Sequence, residues 1–283
     1  MSTNNEIRTI SLNANGYVFD ALAAGPDDAP LVLFLHGFPE FANAWTPILI
    51  KTAAAGYRCV AVDQRGYSKG ARPQNVADYD IKELMSDVLA FADALGAKQF
   101  HLVGHDWGGV VAWRVAAAHP DRLRSLTVLS TPHSNALLAA IVSDPDQRER
   151  SRYIEFFRLP GGVAEAGLLD QGGLRLRAVY MGKLDANALD ENVRRFSEAG
   201  TLTAALNWYR ALDAGARIGN IQTPTLFVWG SADQALGAVA AKGTAEFVSG
   251  PYQFVCLEGR THWLLEEAPE EIATHLIKHL AHQ

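Results

Sequence analysis

Phe100-His-Leu-Val-Gly104-His105-Asp106-Trp107-Gly108-Gly109 decides how this chain folds. The run Phe100–Val103 is short and apolar, and it ends at a glycine. The helical stretch Val110–Ala118 follows and is stopped by Pro120. A strand therefore passes through one tight turn straight into a helix. Asp106 stands at the apex, with Gly104 and Gly108 two positions to either side. A turn that sharp leaves no room for larger side chains there. Asp tolerates a positive φ better than most residues. A plain glycine-rich turn in which Asp106 only caps the helix is the competing reading.

The same grammar extends outward. Leu31–Leu35, Arg58–Val62, Leu123–Ser130, Thr225–Trp229 and Tyr252–Leu257 are further apolar runs bounded by turn residues. Such runs predict strands buried on both faces, as in a parallel sheet. Between them, Ile81–Leu95 places Leu84, Val88, Phe91 and Leu95 on one helical face, and Glu270–Leu280 is an amphipathic helix at the far end. Alternating strands and helices predict an α/β fold with a mostly parallel, doubly wound sheet. The pattern breaks between Ser134 and Arg217, where no strand-like run occurs and two glycine pairs appear, Gly161-Gly162 and Gly172-Gly173. That segment predicts a helical cap inserted into the sheet domain. The expected division is a core of residues 1–133 and 218–283 with a cap of residues 134–217.

Composition narrows the function. The chain has 283 residues, 48% hydrophobic and 20% charged, enough apolar material for a large buried core. Its 25 basic and 31 acidic residues leave a net charge of −6, which argues against coating nucleic acid or an anionic membrane. The polar start, Met1 to Asn15, lacks the apolar segment of a secretory signal. The apolar runs are too short to span a bilayer. A cytoplasmic protein is expected. Cys59 and Cys256 both sit in strand-like runs and are expected to be buried thiols, and no metal-ligand spacing appears.

Gly104-His105-Asp106-Trp107-Gly108 has the form of a nucleophile elbow with Asp where hydrolases usually carry Ser. With His36-Gly37-Phe38-Pro39, Asp63-Gln64-Arg65-Gly66-Tyr67-Ser68, Asn207-Trp208-Tyr209-Arg210 and a late acid and base, the chain resembles the α/β-hydrolase superfamily, and within it the epoxide hydrolases. The resemblance covers nearly the whole length. The order and spacing of the motifs carry it more than any one of them. It implies the α/β-hydrolase fold with its helical cap.

The superfamily order is nucleophile, acid, histidine. Asp233, in the loop after Thr225–Trp229, is the candidate acid. The alternative position after the preceding strand reads Ser130-Thr131-Pro132-His133 and holds no carboxylate. His262 is the candidate base among nine histidines. His275, His279 and His282 are expected at the surface, His105 in a structural role, and His133 at the cap entrance. Many members of the family carry Gly before the catalytic histidine, and this chain carries Thr261. The resemblance further implies an oxyanion hole formed by the backbone N–H groups of Phe38 and Trp107, and a cis bond before Pro39.

The nucleophile type points to the chemistry. A serine attacking an epoxide carbon would form an ether that water does not readily cleave. An aspartate forms an ester, which water can hydrolyse at its acyl carbon, so Asp106 points to epoxides or haloalkanes. A halide leaves as a stable anion, whereas an opening epoxide needs a proton. A tyrosine, with an ordinary pKa of about 10, can supply one while remaining neutral. The resemblance implies two such tyrosines in the cap, and Tyr153 ahead of Pro160-Gly161 and Tyr209 in Asn-Trp-Tyr-Arg fill the positions.

The expectation is an epoxide hydrolase that forms a vicinal diol through an ester on Asp106. Phe38, Trp107, Tyr153 and Tyr209 would contact the substrate, and no cofactor or metal is needed. A small epoxide is the expected partner, with no nucleic acid or membrane, and a homodimer is an allowed assembly. A dehalogenase using Asp106, Asp233 and His262 is the alternative, with Trp107 donating its indole N–H to the halide. A hydrolase-fold binding protein would be expected to lack part of the triad.

Overall fold

The computed structural model describes residues 6–213 and 215–282. Met1 to Asn5, part of the polar stretch read above for a signal, lie outside the described residues. The strands are β1 (Arg8–Ala14), β2 (Tyr17–Ala24), β3 (Leu31–Leu35), β4 (Arg58–Val62), β5 (Phe100–His105), β6 (Leu123–Leu129), β7 (Thr225–Gly230) and β8 (Tyr252–Leu257). They form one eight-stranded sheet in the order β1-β2-β4-β3-β5-β6-β7-β8. From β4 to β8 every pairing is parallel, while β1 and β2 pair antiparallel at one edge.

The continuous apolar runs have a direct cause. Leu31, Leu33 and Leu35 of β3 face one hydrophobic cluster, and Val32 and Phe34 face the other. Helices α2 (Ile81–Ala94) and α3 (Trp107–Ala118) cover the first face. Helices α1 (Thr46–Ala54) and α12 (Pro269–Leu280) cover the second. A strand with helices on both sides has no solvent side, so its sequence does not alternate.

β1 and β2 were not expected from the sequence. They form a hairpin whose two-residue turn, Asn15-Gly16, has φ of 49° and 79°. Asn-Gly is the sequence signature of a turn with two positive φ values, and β1 buries alternate residues toward its end. Cys256 is a second difference. It is exposed, because β8 is the outermost strand and is only partly covered. Cys59, in the interior strand β4, is buried as expected.

Between β6 and β7 the described residues hold six helices and no strand: α4 (Ser134–Ser143), α5 (Pro145–Arg150), α6 (Tyr153–Phe157), α7 (Val163–Val179), α8 (Ala186–Phe196) and α9 (Thr201–Ala211). The glycine pairs shape this segment. Gly161 and Gly162, at φ 69° and 79°, turn the chain into α7, and Gly172 and Gly173, at 71° and 80°, break α7 in its middle. The loop after β4 receives these helices. Trp208 Nε1 donates to the Arg65 carbonyl at 2.9 Å. Arg195 of α8 pairs with Asp63 at 2.5 Å and lies over the Phe41 ring. Arg65 itself is held by a buried two-pronged contact to Asp87, both distances 2.7 Å. The remaining helices, α10 (Ala238–Gly243) and α11 (Leu264–Glu267), follow β7 and β8. Among the described residues, no helix is long and apolar enough to cross a membrane.

The turn between β5 and α3 is tightly closed by backbone. A Cβ on Gly104 would lie 2.3 Å from the Gly108 carbonyl oxygen, and one on Gly108 would lie 2.1 Å from that of Leu35. Both obstacles are backbone and cannot swing away. Gly104→Ala is therefore expected to cost about 2–4 kcal/mol by overpacking. Gly96→Ala, with no neighbour within 4 Å, should cost only its backbone strain, roughly 1 kcal/mol. Urea unfolding of the two variants checks this; equal losses would contradict the steric account.

Candidate active site

The turn carries Asp106 at φ 50°, ψ −119°, immediately before α3, and its side chain makes no capping hydrogen bond to that helix. Its carbonyl accepts from Thr131 Oγ1 at 2.9 Å and from the Val110 amide at 3.1 Å. Its side chain is thereby turned toward the loop after β3. There the Phe38 amide donates to Asp106 Oδ1 at 2.8 Å. This approach requires Gly37, since a Cβ at that position would sit 2.2 Å from the Asp106 Cβ. The loop is held from behind by His36. Its Nδ1 lies 2.9 Å from the Gly37 carbonyl, and its Nε2 accepts from the Gln64 amide at 3.2 Å. Burial lowers the His36 pKa to about 4, so the ring is neutral and can accept. The peptide bond between Phe38 and Pro39 is cis.

His262 stands between two carboxylates. Its Nδ1 is 2.8 Å from Asp233 Oδ2, and its Nε2 is 3.5 Å from Asp106 Oδ2. The other Asp233 oxygen accepts from the Ala235 and Leu236 amides at 2.8 and 3.0 Å. Asp233 is thus fixed in the loop after β7 and fixes the ring in turn. Burial opposes a charged imidazole, yet Asp233 and Asp106 together raise the His262 pKa well above its ordinary value. Burial likewise opposes ionised Asp106, but His262, His105 and the Phe38 amide hold its pKa below the usual carboxylate range.

Thr261, where many family members carry Gly, is engaged rather than merely tolerated. Its amide donates to Glu267 Oε2 at 2.8 Å, and its hydroxyl donates to the same oxygen. Beneath the histidine, the His262 carbonyl meets Ser130 Oγ at 3.0 Å and His105 Nε2 at 2.9 Å. His105 Nδ1 contacts Glu40 Oε2 at 2.9 Å. Glu40 Oε1 and Glu266 Oε2 are buried without a hydrogen-bond partner. The two carboxyls are neighbours, and one shared proton would let them bond to each other. Burial, with the neighbouring Glu40, raises the Glu266 pKa well above its ordinary value, and burial raises that of Glu40 to about 7.

A cavity of about 250 Å³ joins the sheet domain to the helices above it. Asp106, His262, Phe38, Tyr153 and Tyr209 all line it. Tyr209 is buried in a ring of edge-on aromatic contacts with Phe38, Trp107 and Phe157, at centroid distances of 5.7, 4.9 and 5.0 Å. Tyr153, on α6, reaches the cavity from its exposed side, with its ring 6.5 Å from that of Tyr209. Burial and the Asp106 charge both raise the pKa of each phenol, so both keep their protons. Arg210, next to Tyr209, is clamped by Glu165 at 2.9 and 3.0 Å and donates to the Leu159 carbonyl, which locks α9 to α7. Tyr180, for which the sequence offered no motif, donates to the Pro39 carbonyl and packs on Trp263.

The Trp107 indole packs edge-on against Trp208 and against Tyr209, which lines the cavity. Two expectations change. His133 is not at an entrance. It is fully buried, stacked on Phe247, and caps α4 by accepting from the Asn135 amide. His279 is buried rather than exposed, since it lies on the sheet side of α12. The sequence reading also missed Arg150, Val179, Met181 and Gln234 in the cavity wall. No local motif marks them, because helix packing alone brings them there. Among the described residues, no cluster of three His, Cys, Asp or Glu side chains is placed to hold a metal ion.

The chain is similar in sequence and in fold to known proteins. The sequence pattern of the family described as alpha/beta hydrolase fold matches residues 30–269. Epoxide hydrolase A of Mycobacterium tuberculosis is 34% identical, with 95% of this chain and 96% of that protein covered. The AB hydrolase superfamily protein YfhM of Bacillus subtilis is also 34% identical, covering 96% of this chain and 97% of that protein. The crystal structure of epoxide hydrolase A from Mycobacterium thermoresistibile superposes with a TM-score of 0.85 at 30% identity, covering 98% of both chains.

The carboxyl pair yields a stability prediction. A buried carboxyl with a raised pKa binds its proton more tightly in the folded state than in the unfolded state. Wild-type stability should then fall as the pH rises from about 4.5 towards the Glu40 value of about 7. Glu266→Gln supplies the hydrogen without a titrating proton and should flatten that fall. Thermal unfolding at pH 5 and pH 8 measures it; an unchanged slope in the variant would contradict the shared proton.

Proposed function

As this chain belongs to the epoxide hydrolases within the α/β-hydrolase family, we propose that it opens an epoxide to a vicinal diol through a covalent ester on Asp106. One observation carries the reading: the Asp106 carboxylate and the two cap phenols, Tyr153 and Tyr209, line a single cavity. A nucleophile for carbon and two proton donors for a leaving oxygen are what ring opening requires.

In the first step Asp106 attacks the less hindered ring carbon. The carbon–oxygen bond breaks, and the oxygen leaves with the electron pair. Tyr153 and Tyr209 hold that oxygen, and one of them gives it a proton. Asp106 is now a neutral ester. It no longer helps to hold a proton on His262, whose pKa was raised by two carboxylates and now answers to one. The proton returns towards the phenolate, and Nε2 becomes a base. His262, oriented by Asp233, then takes a proton from water, and the hydroxide attacks the Asp106 acyl carbon. Negative charge develops on the acyl oxygen, for which the Phe38 amide is already in place, with that of Trp107 as second donor. Collapse expels the alkoxide, which takes the proton left on the new carboxyl group; the diol is released and the carboxylate restored, one of its oxygens now coming from water. A haloalkane would need no phenolic proton, so Tyr153 and Tyr209 favour the epoxide. We place the enzyme in the cytoplasm, a setting supported by two cysteines that are both unpaired thiols.

In a single turnover in heavy-oxygen water, the first diol should carry an unlabelled oxygen from Asp106. Full labelling of that first diol would mean direct attack by water. Changing both Tyr153 and Tyr209 to Phe should slow ester formation on the order of 10²-fold or more, since positioned acids contribute that much; a rate near wild type would remove the phenols from the chemistry. Because the Asp106 pKa lies below the usual range, kcat/KM should hold as the pH falls to about 4, where an ordinary carboxylate would already be half protonated. A pH profile with a midpoint at 5 or above would contradict an ionised, ion-paired nucleophile.

A further inference from the structure

We infer that Arg150 selects the substrate, and that the cavity takes epoxides whose far end carries a carboxylate. The inference rests on the epoxide-hydrolase reading above. Apart from the reacting groups, the wall of the cavity is largely apolar, with Phe157, Val179 and Met181 among its members. Two polar side chains in that wall have no part in the chemistry: Arg150 and Gln234. Gln234 is exposed and Arg150 half-buried, whereas Asp106 lies deep, so the two mark the open end.

The Arg150 guanidinium is already fixed. Its Nη1 donates to the Asp233 carbonyl at 2.6 Å, and its Nε donates to Asp146 Oδ2 at 2.7 Å. Among the described residues, its Nη2 makes no protein hydrogen bond. A held guanidinium loses little further freedom when it receives an anion, and its planar fork suits a carboxylate. Asp146 is a solvent-exposed partner, 63% accessible against 30% for Arg150, so water screens its neutralising effect. At the other end Asp106, Asp233 and protonated His262 sum to one negative charge. A substrate with an ionised tail is repelled there and attracted at the mouth. It enters with the epoxide inward and the carboxylate outward, beside Arg150 and the Gln234 amide.

The bland alternative is that Arg150 only ties α5 to the loop that holds Asp233. The test separates the two. Terminal epoxides of stepwise longer chain, each ending in a carboxylate, are compared with their methyl esters in the wild-type enzyme. At the matching length, kcat/KM for the acid should exceed that for the ester by about tenfold, the worth of one charge-assisted contact. Added salt should narrow the ratio. Arg150→Gln should bring it to about one, Arg150→Lys should keep part of it, and Asp146→Asn should raise it. Straight-chain alkanoates should also inhibit the wild type more tightly than the matching amides, a readout independent of how the variants fold. An acid-to-ester ratio at or below one at every length would overturn the inference. So would an Arg150→Gln variant that lowers acid and ester alike. Absence of turnover on every epoxide, esters included, would instead remove the activity itself and this selectivity with it.

Discussion

Asp106 can stand at φ 50° only because the backbone closes on it from every side and leaves it nowhere else to go. Gly104 and Gly108 press against carbonyls of the same turn and of β3, and Gly37 lets the next loop touch the Asp106 side chain. The strain of that conformation, on the order of 1–3 kcal/mol, is absorbed by a sheet buried on both faces. In return, a carboxylate is presented at the carboxyl end of the strands, with a backbone N–H already aimed at it. Everything else in the site is arranged around that fixed point.

The charges follow from the geometry. A single buried carboxylate would be driven to protonate. Beside His262 and the Phe38 amide, Asp106 instead has its pKa held down, and the neighbouring Asp233 and Asp106 in turn favour a proton on the histidine. In the proposed reaction that balance is broken when Asp106 is esterified, so the base would form at the stage that uses one. The phenols need no such coupling. Burial and the nearby anion hold their protons on, and only a developing alkoxide would draw one off.

Much of this was legible in the amino-acid order. Parallel strands buried on both sides read as unbroken apolar runs, and the elbow reads as glycines around an aspartate, because each is fixed by contacts a few residues long. The β1–β2 hairpin is equally local, and Asn15-Gly16 between alternating residues is its signal. Cys256, His133 and His279 were misplaced for a different reason. Their burial depends on which strand is outermost and which side of a helix meets the sheet, and only the assembled sheet settles that. The cavity wall is the least legible part. Arg150, Met181 and Gln234 come from three separate segments and meet only through packing. Tyr153 and Tyr209 stood out through their resemblance to a family pattern, and nothing in their own periodicity marked them.

In the proposed reaction the Asp106 carboxylate bonds covalently to carbon. Replacing His262 by Gln should leave that bond to form while removing the base that breaks it. Mass spectrometry of the variant after exposure to a small epoxide should show the protein heavier by the mass of one epoxide, with the added mass on the peptide that contains Asp106. An unmodified protein that nonetheless forms diol, or an adduct on another residue, would contradict the account.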